Sequence, residues 1–383
     1  MKYAFKDIAF NSTEKRIPAE EDRLSYIGLE HLDSRKLAVT RFGSDVPLKG
    51  EKLVMKKGDI LFGKRNTYLK RVAIAPHDGL FSAHGMVLRP NEQVISKEFF
   101  PFFLSSDYFL DEAIRISVGS LSPTVNWKDL RDLEFEVPCF DEQHKLAQLL
   151  SAANDLKESY ERMIAATDEM VKSQFIEMFG TIKSPSACDV MTVGDAVERG
   201  IIEKPMDGNH GSKHPTADEY VDSGIPFLLA NNITEEGVDL LNCSFITKER
   251  ALRLDKGFAH NGDVLLTHKG TVGRVAVLNC PNYDFVMLTP QVTYYRPLKG
   301  LSAEYLKAYF ESQGFQEEIM SIASSGATRA YIGITEQRKL HLLIPNTESQ
   351  CSFVTIVKLA DKSKFELKQA IEKIDSVMRA LMQ

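Results

Sequence analysis

Residues 117–143 read SVGSLSPTVNWKDLRDLEFEVPCFDEQ and residues 324–350 read SSGATRAYIGITEQRKLHLLIPNTESQ, and the two stretches align without a gap. They share Ser117/Ser324, Gly119/Gly326, Arg131/Arg338, Leu133/Leu340, Pro138/Pro345 and, further on, Gln143/Gln350. About one or two identities would arise by chance at average residue usage. Upstream, Gly58-Asp59-Ile60-Leu61 answers Gly262-Asp263-Val264-Leu265, Arg71-Val72-Ala73 answers Arg274-Val275-Ala276, and Arg89-Pro90 answers Arg296-Pro297. The blocks keep their order, so the chain reads as a duplicated unit, 1–180 followed by 181–383.

Each repeat ends in a helix. From Gln143 to Phe179 there is no Pro or Gly, and apolar residues recur at helical spacing. With Leu146 as position a, the a series continues through Ala153, Tyr160 and Thr167, and the d series is Leu149, Leu156, Met163 and Met170. The second repeat carries a residues Phe353, Ala360, Leu367, Ile374 and Leu381, and d residues Ile356, Ser363, Ala370 and Val377. The apolar members of these series are expected to form the interface between the helices and with partners. Thr347 and Gln350 have the spacing of a capping box, and Asp141 is expected to cap the first helix. At ~1.5 Å per residue each helix is roughly 50 Å long. A globular segment leaves the far end of one helix and returns to start the other, so the expected pairing is an antiparallel coiled coil with one globular domain at each end. Two unrelated surface helices are the alternative.

The segments before the helices mix short apolar runs such as Asp59–Phe62, Val72–Ala75, Val264–Leu266 and Val275–Val277 with Gly, Pro and Asn. That pattern implies mixed α/β globular domains. The expected division is 1–140 and 181–347 for the domains, with 141–180 and 348–383 for the helices. Hydrophobic residues are 43% and charged residues 26% of 383, which excludes a disordered or collagen-like chain. No run approaches the ~18 apolar residues of a membrane span, and the opening residues lack a signal peptide's apolar centre, so a cytoplasmic location is expected. The five cysteines, at 139, 188, 243, 280 and 351, form no C-x-x-C pair and read as reduced thiols. The net charge of −6 disfavours nucleic acid only as a total. Between Lys49 and Arg71 eight Lys/Arg face only Glu51 and Asp59.

Two unlike globular halves, each ending in a strand-Pro, an acidic residue and Gln before a long helix, resemble the specificity subunit of type I restriction-modification systems over the whole chain. The Gly-Asp-Ile/Val-Leu blocks, the Ser-x-Gly blocks and the Gln-led helices carry the likeness. The segment Asp207-Gly-Asn-His-Gly-Ser-Lys-His-Pro215, with Gly224-Ile-Pro-Phe227 and Asn231-Asn-Ile233, is similar to the opening of many target recognition domains. The first half lacks a counterpart of Asp207–His210, and Tyr26-Ile-Gly-Leu29 stands where Phe227-Leu-Leu-Ala230 does. The resemblance implies two recognition domains that read different parts of a bipartite double-stranded DNA target. It also implies a helical spacer on which two modification (methyltransferase) subunits dock, with room for restriction or translocase subunits. S-adenosylmethionine would belong to the modification subunit, leaving this chain without catalytic residues, cofactor or metal.

Base readout needs fixed donors and acceptors beside cations that hold phosphates. Gly63–Arg71 supplies both: Arg65 and Asn66 suit guanine and adenine edges, Lys64 and Lys70 suit phosphate, and Tyr68 stands among them. The corresponding loop, Thr267–Arg274, carries His268, Lys269 and Thr271. A second loop in each half adds Ser120, Ser122 and Thr124 in one, and Ser325, Thr328 and Arg329 in the other. His210 and Lys213 complete the expected DNA-binding set.

Three motifs are set aside. Gly58–Lys64 fits G-x-x-x-x-G-K, but Arg65 stands where a phosphate loop needs Ser/Thr. His210 and His214 have chelating spacing only on a helix, which Gly211 and Pro215 oppose. Glu366 and Lys368 lie on the heptad helix, where a solvated face explains them. The Asn/Asp-Pro-Pro-aromatic motif of amino-methylating DNA methyltransferases is absent, since no two prolines are consecutive. A coiled-coil DNA-binding scaffold or regulator without methyltransferase partners, and a divergent free-standing modification enzyme, remain the competing readings. The spacer reading yields a measurable consequence. Four residues added near Ala165 lengthen the helix by ~6 Å, which at ~3.4 Å per base pair widens the gap between recognised blocks by one or at most two base pairs. Mapping the methylated sites of the insertion variant checks this, and unchanged spacing counts against the helix as a ruler.

Overall fold

A computed structural model of the chain describes residues 1–234, 236–298, 300–323 and 330–382. The chain forms two compact units, Met1–Arg162 with Glu366–Gln383, and Met163–Phe365. The division falls inside both long helices, Phe140–Phe179 and Thr347–Leu381, because each helix contributes to both cores.

In the first unit the strands Ala9–Ser12, Met86–Pro90, Ile60–Phe62 and Val72–Ile74 lie in that order, all antiparallel. Successive side chains of a strand point to opposite faces. Ile60, Phe62, Val72 and Leu88 therefore bury against the helices Phe100–Ser105 and Asp107–Arg115, while Leu61, Ala73 and Val87 face the three-stranded sheet Lys15–Arg16, Lys52–Met55, Gly79–Phe81. The second unit repeats the arrangement with Met206–Asp207, Val292–Tyr295, Val264–Lys269 and Thr271–Val277. Val264, Leu266, Val275 and Tyr295 bury against the helices Ala303–Phe310 and Gln313–Ala323. Its other sheet includes a parallel pair, Ile225–Leu228 with Val286–Leu288. In the first unit that pair shrinks to a single parallel bridge, Ile27 to Phe81, so Tyr26–Leu29 does occupy the place of Phe227–Ala230.

The repeated Gly-Asp blocks have a physical reason. Gly58 and Gly262 sit at φ 89° and 91°, where a side chain would be strained, and they turn the chain into the central strand. Asp59 then accepts from the Lys56 backbone amide at 2.8 Å and from Arg89 Nε and an Arg89 Nη at 2.7 and 2.8 Å. Asp263 does the same with His260 N at 2.7 Å and Arg296 at 2.8 and 2.9 Å. Both carboxylates are buried, and a buried charge persists only when paired. The Gly58–Lys64 stretch is thus a turn and strand, as its residues implied.

Gln143 and Gln350 are buried, and each joins its helix to its own domain. Gln143 Oε1 accepts from Ser96 N at 2.7 Å, and Nε2 donates to Val94 O and Pro138 O at 3.0 and 2.9 Å. Gln350 accepts from Ser302 N and donates to Gly300 O and Pro345 O, all at 2.9 Å. The capping box expected at Thr347 and Gln350 therefore does not form: Asn346 Oδ1 caps the helix by accepting from Ser349 N at 2.8 Å. Asp141 lies inside the first turn and is not the cap; Glu142 accepts from Cys139 N at 3.3 Å.

Within each unit the start of one long helix lies beside the end of the other, hence antiparallel. In the first unit Met378, Leu381 and Met382 pack on the core that holds Leu146, Ala147 and Leu150, and Lys157 pairs with Asp375 at 2.6 Å. In the second, Phe175 and Phe179 meet Phe353 at centroid distances of 5.4 Å, and Lys364 pairs with Asp168 at 2.8 Å. The expected d series on the first helix is one residue out of phase. Leu149, Leu156, Met163 and Met170 are exposed, whereas Leu150 is fully buried. A 4-3 alternation covers a helix face as well as a 3-4 one, and the buried polar and apolar contacts at the helix ends select the former. Ile356, Leu367 and Ile374 are half-buried, and Phe353 is fully buried. All five cysteines are free thiols, and no described helix is long and apolar enough to cross a membrane.

Replacing Gln143 by Leu orphans a buried amide and two carbonyls, which should destabilise the first unit by ~2–4 kcal/mol. The single tryptophan, Trp127, packs on that unit's core. Its fluorescence midpoint in a denaturant titration should fall in Gln143→Leu and hold in Gln350→Leu, which shifts only the circular dichroism transition.

Candidate nucleic-acid interface

In the first repeat the two loops singled out come together, and in the second the described end of the second loop, from Ala330, meets the first through equivalent backbone bonds. In the first unit Val125 N donates to Lys64 O at 3.0 Å, Arg65 bridges Thr124, and Asn66 N donates to Pro123 O at 2.7 Å. In the second, Ile332 N donates to His268 O at 3.0 Å, Lys269 bridges Tyr331, and Gly270 N donates to Ala330 O at 3.3 Å. Main-chain bonds hold these faces, so the side chains on them are free to differ.

They do differ. In the first unit Arg65 is exposed and reaches Ser122 Oγ at 3.4 Å, and Tyr68 is 55% exposed on the short turn Thr67–Leu69. Asn66 and Lys70, at either end of that turn, both hold positive φ, 56° and 49°. Non-glycine residues enter this region at a cost that surrounding structure must offset. Thr67 supplies part of it by donating from Oγ1 to Lys64 O at 2.8 Å. The Asn66 side-chain oxygen is buried without a partner. Ser120 is exposed, and Ser122 and Thr124 half-exposed, on a loop closed by Val118 and Thr124 in a two-way bond. Lys64 is half-buried, and burial, with Lys15 nearby, lowers its pKa.

Lys70 does not stand free for phosphate as expected. It pairs with Asp107 at 2.5 Å and Asp111 at 2.6 Å. Burial works against its charge, yet these two carboxylates raise its pKa.

In the second unit Lys269 and Thr271 are exposed at the hairpin tip, and the Lys269 ammonium lies 5.9 Å from the Tyr331 ring centroid. Tyr331 was missed at the sequence level; its only signal was the alignment that sets it opposite Thr124. His268 is no surface reader. It is fully buried, with Nδ1 against Ile332 O at 3.0 Å and Nε2 unpartnered. Alternation along the strand turns it inward beside the exposed Lys269. Burial pushes its pKa down to about 4. His210 is half-exposed and meets buried Asp207 at 2.7 Å, while Lys256 pairs with the other Asp207 oxygen. Burial opposes the Asp207 charge, but Lys256 and His210 hold its carboxyl below the usual range. Lys213 is exposed and paired with Asp255. Ser325, Thr328 and Arg329 lie outside the described residues. Among the described residues no three of His, Cys, Asp and Glu gather to hold a metal, and His210 and His214 flank a single 3-10 turn rather than sharing a helix face.

Two tandem mixed α/β domains, each presenting a two-loop face and each continuing into a long helix, form the fold of type I specificity subunits. It matches the structure of an S subunit of a type I restriction-modification system from M. genitalium (TM-score 0.54, 12% identity, 100% of this chain and 94% of that one). It also matches a chain from a study of the structural basis of complex assembly and conformational transition of the type I R-M system (TM-score 0.60, 17% identity, 100% and 96%). Residues 26–164 match the family model of the type I restriction modification DNA specificity domain. The type I restriction enzyme EcoDI specificity subunit of Escherichia coli is 26% identical over 126 residues, 32% of this chain and 28% of that protein. The putative type I restriction enzyme MjaX specificity subunit of Methanocaldococcus jannaschii is 24% identical over 176 residues, 42% and 40%. Over these stretches the chain is similar to type I restriction-modification specificity subunits, and it shares their fold. The aligned stretches span less than half the length of either curated relative.

A histidine whose folded pKa lies below its unfolded 6.5 binds fewer protons folded than unfolded between those values. Stability is therefore complete above about pH 6.5 and falls as pH drops toward 4, by about 3 kcal/mol for a shift of this size. His268→Asn should flatten that window in urea titrations run at pH 4.5 and 7, and an unchanged pH dependence would place the buried imidazole elsewhere.

Proposed function

We propose that this chain reads DNA sequence for a type I restriction-modification complex. Each unit recognises one short block of a bipartite double-stranded target through its paired loops. The chain carries no cofactor or chemistry of its own: methyl transfer falls to modification subunits that hold S-adenosylmethionine and dock on the long helices. Restriction and translocase subunits fit the same assembly. The observation that carries the reading is the repeated face, one main-chain frame displaying Arg65, Ser122 and Tyr68 in one unit and Lys269, Thr271 and Tyr331 in the other. A guanidinium beside a hydroxyl, and an ammonium beside an aromatic ring, present different donor patterns to base edges and phosphates. The exposed row Leu149, Leu156, Met163 and Met170 supports docking on the first helix, because spaced apolar residues on one helix face suit a partner helix. The missing Pro-Pro motif supports the division of labour.

The test is to map methylated adenines in DNA from cells with and without this chain. One two-block motif should vanish with the chain, and an unchanged methylation map overturns the reading. Arg65→Ala should relax one block by ~1–3 kcal/mol per lost base contact and Lys269→Ala the other; a variant that altered both blocks equally would break the assignment of one block per unit.

A further inference from the structure

We propose that Lys70 is a positioning residue: held by Asp107 and Asp111, it fixes the first unit's base-reading loop in its reading conformation and leaves DNA phosphates to other cations. This rests on the reading of the paired loops as a DNA interface. Three segments meet at Lys70. Its ammonium takes both aspartates, at 2.5 and 2.6 Å, on the helix Asp107–Arg115. Its carbonyl accepts from Arg35 N at 3.1 Å, and the Arg35 guanidinium returns to Asp107 at 2.7 Å. Arg35 (φ 57°) and Lys70 (φ 49°) are both left-handed, so the contacts hold backbone that would otherwise relax. The Lys70 side chain is 17% exposed, too enclosed for a groove-tracking cation.

The second unit solves the same problem without charge. Matching Arg71 with Arg274 sets Gly273 opposite Lys70, and Gly273 is also left-handed, at φ 96°. Gln316, on the helix Gln313–Ala323, donates from Nε2 to Gly273 O at 2.9 Å and to Phe310 O at 2.6 Å. The two helices correspond, since Ser106 and Ser312 accept from Phe109 N and Phe315 N at their starts. Both recognition loops are therefore tied at one backbone position to the same helix, by ion pairs in one unit and by an amide in the other.

A clamp and a phosphate contact give opposite results. Lys70→Gln, and separately the Asp107→Asn/Asp111→Asn pair, would be compared with the unaltered chain in the complex purified with its modification subunit, on DNA carrying the mapped motif. Discrimination at the first block should fall about tenfold in both, with discrimination at the second block unchanged and the slope of log K against log salt unchanged in Lys70→Gln. Lys70→Arg should restore discrimination. If Lys70 bound phosphate, Lys70→Gln would flatten the slope by ~0.9 and the Asn pair would tighten binding; either result overturns the clamp. Hydrogen exchange of the full chain tests it without DNA. The amides of Leu69 and Lys70, bonded to Asn66 O and Thr67 O at 2.9 Å, should exchange about tenfold faster in both variants. Unchanged exchange overturns the clamp, whereas a complex with no sequence preference overturns the DNA reading and leaves the exchange result to decide the clamp.

Discussion

A buried side-chain amide that cannot be left unpaired is the constraint on which the architecture turns. Gln143 and Gln350 each accept one backbone amide and donate to two carbonyls from their own domain. An unsatisfied buried group costs more than a formed bond contributes, so a small rotation of either helix start is penalised at three atoms at once. The long helices therefore leave their domains in a defined direction. The shift of the buried stripe from Leu149 to Leu150 follows from that anchoring, as does the exposure of Leu156, Met163 and Met170.

The same economy of means appears in the domains. Asp59 with Arg89, and Asp263 with Arg296, are forks on buried carboxylates that hold the turn into the central strand and tie it to its neighbour. That strand delivers the loop that carries Arg65 in one unit and Lys269 in the other, and main-chain bonds join it to the second loop. A frame of this kind tolerates side-chain exchange at its exposed positions, because none of the holding bonds passes through them. Arg65 and Lys269 occupy one place in the frame with different chemistry.

The bonds that join the two loops of a unit were not legible in the residues. The duplicated unit, the mixed α/β domains and the helices were, because identity between repeats survives where backbone geometry demands it. Gly58/Gly262, Asp59/Asp263 and Gln143/Gln350 are such positions. What misled was burial within a loop or heptad. Lys70 looked like a free cation because Asp107 and Asp111 stand far along the chain. His268 looked like a reader because a bulge and strand alternation, invisible in composition, turn it inward.

The sequence by itself determined the period and the extent of the helices, since propensity, punctuation and repetition are local properties of the chain, whereas Thr267–Arg274, read as a loop, is the end of a β-hairpin. Only the tertiary structure decided which face of each helix is buried, which charges are paired and which side chains the loops present. Those outcomes depend on contacts between residues distant in sequence: Gln143 with Ser96, Lys70 with Asp107, and Lys269 with Tyr331. A periodic pattern admits two adjacent phases and a lysine admits either a carboxylate or solvent, and the choice falls to whatever packing places beside them.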